Sequence, residues 1–147
     1  MTQNKLDISQ ATEALKGTRF VEALSLLELN LEKDSNHIDS LYLAAVCSRY
    51  LKNYDDSKKY IQSLLSQAPD MGRAYQELGH LNRDMGNQEN SIAHYRQACE
   101  LNPALLASWK ALYDYFRISK NKPAADHAFM QMNTLQSIPS ILLYISQ

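Results

Sequence analysis

The feature that most constrains this chain is self-similarity at an offset of 34 residues, because a fixed period of that length marks stacked supersecondary units rather than one globular core. At this offset Pro69 falls on Pro103 and Leu78 on Leu112. Leu41, Tyr75 and Trp109 form a series of large apolar residues, and Asn53, Asn87 and Asn121 form a polar one. Ala23, Ser57, Ser91 and Ala125 place a small residue at four equivalent points, while Leu27, Ile61, Tyr95 and Phe129 place a large one four positions later. Four units follow, at about residues 4–37, 38–71, 72–105 and 106–139, within a single domain. Residues 140–147 are left over as the start of a capping or further helix.

Each unit reads as two helices. In the third, Tyr75, Leu78, Gly79 and Asn82 keep the spacing that puts side chains on one helix face. Met85-Gly86-Asn87 breaks that pattern, and a second helix runs from about Gln88, with Ser91, Ile92, Tyr95 and Ala98 facing inward, to Leu101-Asn102-Pro103, where proline ends the ladder. Small residues at Ala45 and Gly79 in first helices, and at Ser57, Ser91 and Ala125 in second helices, let antiparallel partners approach closely, and their large neighbours fill the remaining holes.

This set of residues resembles the tetratricopeptide repeat, a helix-turn-helix unit with the pattern W-x-x-L-G-x-x-Y followed by A, F and P. The third unit, Tyr75-x-x-Leu78-Gly79 through Gly86, Ser91, Tyr95, Ala98 and Pro103, fits best. The fourth carries Trp109, Leu112, Phe116, Ala125 and Phe129 but has Tyr113 where the family prefers a small residue, a change expected to widen the local helix crossing. The second fits through Leu41, Ala44, Ala45, Ser57, Ile61, Leu64 and Pro69, and the first through Ala11, Ala14, Phe20, Ala23 and Leu27. In the first, Lys16-Gly17-Thr18-Arg19-Phe20 places its glycine one residue earlier than the family does. The resemblance implies an all-α fold, a right-handed superhelical α-solenoid of about four repeats, and a role as a non-catalytic adaptor or scaffold for protein-protein interaction.

Composition agrees. Four Gly and four Pro in 147 residues disfavour a turn-dense β fold. A net charge of -1 with no basic stripe argues against nucleic acid as a partner. No run of 18 apolar residues occurs and the first ten residues do not read as a secretory signal, so a cytoplasmic protein with no membrane partner is expected. Cys47 and Cys99 are expected to be reduced core thiols. No phosphate loop, dinucleotide fingerprint, nucleophile elbow or H-E-x-x-H is present, and His37, His80, His94 and His127 are scattered without ligand spacing. No catalytic residue, metal or cofactor is therefore expected. Asp55-Asp56 reads as helix-start charge.

In the family resembled, a partner lies along a concave surface lined by the first helix of each unit. Carried over by position, the partner-binding residues are Asp39, Tyr42, Val46, Arg49 and Tyr50 in the second unit, Arg73, Gln76, His80 and Arg83, with Asp84, in the third, and Lys110, Asp114 and Arg117, with Ala107 and Ile118, in the fourth. Helical geometry places these positions away from the packed face. Tyr and Arg are the residue types that dominate binding hot spots, whereas alternating charges can equally form a plain solvated face. Five bases against Asp39, Asp84 and Asp114 favour an acidic or carboxylate-terminated peptide. The family's clamp of Lys, Asn and Arg for chaperone tails is missing, since Ile8, Thr12, Leu43, Arg73 and Glu77 stand at its places.

Two other readings belong beside the adaptor. The stretches Tyr95-Arg96-Gln97-Ala98 and Asn102-Pro103-Ala104 to Leu112, with Ala124-Ala125-Asp126, are similar to the repeat region of bacterial tetratricopeptide-repeat sulfotransferases, which would make this chain the head of a larger enzyme. The apolar segment Ile141 to Ile145 either caps the fourth unit, opens a further helix, or pairs two copies as a homodimer.

Overall fold

The computed structural model describes residues 6–137. These form eight α-helices and no strands: α1 (Ser9–Lys16), α2 (Phe20–Lys33), α3 (Ile38–Tyr50), α4 (Tyr54–Gln67), α5 (Gly72–Asp84), α6 (Gln88–Leu101), α7 (Leu106–Ile118) and α8 (Lys122–Ser137). Successive helices pair, α1 with α2 through α7 with α8, and the first helix of each pair packs on the second helix of the pair before it. Contacts of α5 with α3 and with α7 align the first helices along one side. The architecture is an all-α solenoid. None of the described helices is long and apolar enough to cross a membrane. The segment 141–145, expected to cap the stack or join two copies, lies outside the described residues.

The turns inside the pairs share one geometry. In the second pair the Asn53 amide donates to the Ser48 carbonyl at 2.8 Å and the Lys52 amide to the Arg49 carbonyl at 2.9 Å, the two bonds of a Schellman ending. The same bonds recur as Arg19 to Ala14 with Thr18 to Leu15, Asn87 to Asn82 with Gly86 to Arg83, and Asn121 to Phe116 with Lys120 to Arg117. Each ending needs one residue at positive φ: Thr18 at 59°, Lys52 at 64°, Gly86 at 83° and Lys120 at 61°. These positions are one period apart, which fixes the register of the first unit. Gly17 sits just before the turn at φ −81° and leaves its conformational freedom unused, while the β-branched Thr18 takes the left-handed conformation instead. That conformation costs a side-chain-bearing residue about 1 kcal/mol or more. Thr18→Gly is therefore expected to stabilise the fold by about 0.5–1 kcal/mol and raise Tm by about 2–3 °C in a thermal melt; an unchanged or lowered Tm would show that the turn is not strained.

Pair packing follows the small-against-large series. Leu27, Ile61 and Tyr95 are 0%, 0% and 1% exposed. In the two middle pairs the small serine also forms a bond, Ser57 Oγ donating to the Ala45 carbonyl at 2.9 Å and Ser91 Oγ to the Gly79 carbonyl at 2.8 Å, so the closest helix approach carries a satisfied polar contact. In the fourth pair both partners are large. Tyr113 occupies the space into which the second helix would sink its ring, so Tyr113 and Phe129 lie side by side with centroids 5.6 Å apart, and Phe129 stays 46% exposed. The apolar interior is correspondingly a chain of separate clusters along the stack, as nearest-neighbour packing dictates. Cys47 and Cys99 are free and buried, and burial pushes their thiols up to about 11 and about 12, which leaves them protonated and unreactive at neutral pH.

Candidate functional site

We call the side along which α3, α5 and α7 line up the inner side of the stack. At the first-unit end, Phe20 stacks on Tyr50 with centroids 4.7 Å apart and rings within 1° of parallel. Tyr50 is 52% exposed, and the Arg49 guanidinium lies 4.6 Å from its ring centroid. Arg73 sits 5.9 Å from the centroid of Tyr42, and Arg117 is at the same distance from Tyr113. The rings thus hold cations by their faces. Burial, reinforced by the Glu77 charge, raises the Tyr42 hydroxyl above its ordinary range.

Two of the expected partner-contacting residues do not lie at the surface. Val46 and Arg49 are buried, Arg49 to 6% exposure, because α5 lies over this part of α3 and supplies two carboxylates to the arginine. Arg49 Nε donates to Glu77 Oε1, and Nη1 donates to Asp84 Oδ2 at 3.0 Å. The opposite charges and hydrogen bonds of Glu77 and Asp84 raise Arg49 further, against the desolvation that works to lower it, and Arg49 stays charged. Arg49 is thus a staple between two first helices.

The network extends outward. Arg83 Nε and Nη2 contact Asp84 Oδ1 at 3.2 and 3.1 Å, and Arg83 Nη1 lies 3.5 Å from the Tyr95 hydroxyl. The same hydroxyl is 2.6 Å from His80 Nδ1. The Arg83 guanidinium can only donate to this hydroxyl, which leaves the Tyr95 proton available for a neutral His80 Nδ1 to accept. Burial, with Arg49 and Arg83 nearby, holds His80 down at about 4, so it is neutral at physiological pH and contributes no cation to the groove. Gln76 is also committed, its Oε1 accepting from Ser108 Oγ at 2.7 Å, which ties α5 to α7.

Asp39, Arg73, Lys110 and Arg117 remain exposed, and Asp114 half-exposed. Among the described residues these five form no salt bridge. The charge balance differs from the count of five bases against three acids, because Glu77 is a fourth acid on this side. Glu77 and Phe20 are the residues sequence reasoning missed. A signal for the first existed, since Arg49, Arg83 and Arg117 recur at the repeat period, and the one of them that is buried, Arg49, needs an acid within reach. Among the described residues no group of three or more His, Cys, Asp or Glu is placed to hold a metal.

Comparison with known proteins agrees with this architecture. A tetratricopeptide repeat model matches residues 72–105, the third unit. Among solved structures, MamA from Desulfovibrio magneticus RS-1, residues 41 to the end, is similar with TM-score 0.71 at 17% identity over 90% of this chain and 75% of that one. A MamA RS-1 double mutant gives TM-score 0.71 at 18% identity, covering 88% and 72%. The C-terminal part of a TPR repeat-containing protein from Cytophaga hutchinsonii gives 0.65 at 21% identity, covering 86% of this chain and 50% of that one. At these identities the likeness is one of fold. No curated protein matches the chain.

Proposed function

We propose that this chain is a non-catalytic protein-interaction module that takes a peptide or protein partner along the inner side of α3, α5 and α7, with a preference for acidic or carboxylate-bearing sequence. The observation that carries the reading is that Arg73, Lys110 and Arg117 stand exposed on this side without an ion pair among the described residues, with Arg73 beside the Tyr42 ring and Arg117 beside the Tyr113 ring. Free cations beside rigid aromatic area are the ingredients of a peptide hot spot, and repeat stacks present such surfaces along their length. The four units act together as one domain in this reading. A sulfotransferase head rests on the likeness of repeat residues alone and adds nothing to it.

The test uses Arg73, Lys110 and Arg117, because Arg83 is already bonded to Asp84 and a glutamate there would also face Asp84 and Glu77. A blocked peptide Asp-Ser-Glu-Ser-Asp is titrated into the wild type and into the triple variant Arg73→Glu, Lys110→Glu, Arg117→Glu. Affinity is expected to fall at least tenfold, and wild-type affinity to weaken steeply between low and high salt, with an unchanged helical circular-dichroism spectrum. Equal binding by the two proteins would sink the acidic-partner reading.

A further inference from the structure

The inner-face arginines recur at the repeat period, yet two of them meet different surroundings. Arg49 reaches into the following unit and is held there by Glu77 and Asp84. One period on, Arg83 stands in the place of Arg49, but Ala111 and Ile118 stand in the places of Glu77 and Asp84. Neither side chain offers an acceptor. At this junction a crevice of about 350 Å³ lies between α5, α6 and α7, lined by Arg83, Ile92, Tyr95, Ala111, Asp114 and Ile118 among others. The Arg83 side chain is 54% exposed, and its one carboxylate partner is Asp84, which Arg49 already shares.

We propose that this crevice binds the carboxylate of a glutamate side chain from a partner peptide, seated on Arg83 as Glu77 is seated on Arg49, with its methylenes against Ala111 and Ile118. The inference rests on the inner-side peptide site above and names one subsite of it. The chain itself supplies the precedent: an arginine at this repeat position takes a glutamate from the next unit when one is offered. A charge-assisted bond to guanidinium in a partly enclosed site is stronger than the same bond in open water, and the apolar walls suit the two-carbon stem of glutamate. Asp114 on the wall of the same crevice can accept a peptide N–H beside the seated glutamate.

Grafting the missing acid provides the experiment. In Ala111→Glu the chain carries at this junction the residue that Glu77 supplies at the previous one, so the variant is expected to melt no lower than the wild type and to occupy the crevice from within. Blocked Asp-Ser-Glu-Ser-Asp and its central Gln counterpart are titrated into both proteins, with amide shifts followed by NMR. The wild type is expected to favour the Glu peptide by about tenfold, with shifts at Ala111 and Ile118, and Ala111→Glu is expected to erase that preference. Should Ala111→Glu not fold, Arg83→Gln gives the same readout, because its loss of the guanidinium must also remove the Glu preference. If wild type binds both peptides equally, the crevice assignment falls while the inner-side site stands. If neither peptide binds, the inner-side site itself falls and takes the subsite with it.

Discussion

Glu77→Ala is expected to destabilise the protein by about 3 kcal/mol, lowering Tm by roughly 10 °C, although the residue touches no ligand and lies on the side of the molecule where sequence alone predicts binding. Glu77 is 3% exposed and bonded to an arginine that is itself 6% exposed. Removing one partner of a buried pair leaves the other charge without its counter-ion in a low-dielectric setting, and that penalty exceeds the net worth of the pair. The cost falls at the lower end of the usual range because Asp84 still accepts from Arg49 Nη1. Burial raises the Glu77 carboxyl above the usual carboxylate range while Arg49 opposes the shift. Arg49→Met combined with Glu77→Leu should recover most of the loss, since an apolar pair of similar volume carries no desolvation cost. Urea unfolding of the two single variants and the double closes the cycle. Equal destabilisation in the single Glu77 variant and in the double would show that shape, rather than charge pairing, sets the contribution of this site.

Gly79→Ala should cost about 1–3 kcal/mol, against the roughly 1 kcal/mol that alanine ordinarily gains over glycine inside a helix. A Cβ at this position would lie 2.6 Å from Cδ1 and Cε1 of Tyr95, and the Tyr95 ring is fully packed, with its hydroxyl fixed by His80. Neither side can yield easily. The second pair shows the remedy, because there Ala45 stands in the place of Gly79 and Ile61 in the place of Tyr95, both fully buried. Gly79→Ala with Tyr95→Ile copies that solution and is expected to be more stable than Gly79→Ala alone. Thermal melts of the three variants decide it: a single variant as stable as the wild type, or a double no better than the single, would mean that the glycine is not held by the ring.

Much of the fold was legible before any coordinates, for a specific reason. Helix pairs stack through nearest-neighbour contacts, so each position repeats its environment every 34 residues and its residue type repeats with it. Leu27, Ile61 and Tyr95 announce a buried large side chain, and Ser57 and Ser91 a close approach, because the local geometry demands them. The first-unit turn resisted the same treatment. Reading Gly17 as the turn glycine shifts the register by one, and only the backbone shows that Thr18 carries the positive φ. Propensity lost there to the hydrogen-bond pattern of the helix ending.

The candidate site was less legible, and the reason lies between units. Helical periodicity assigns a residue to a face of its own helix but says nothing about what the neighbouring helix lays over that face. Arg49 and Arg83 are identical in sequence position within their units, yet one is sealed by Glu77 and Asp84 and the other opens on a crevice beside Ala111 and Ile118. By itself the sequence determined the period, the helix pairs and the side on which the first helices line up, because these follow from local spacing and residue size. Only the tertiary structure decided which inner-face charges are spent on holding the units together and which stay free, because a salt bridge between α3 and α5 depends on how two residues 28 positions apart in the chain meet in space.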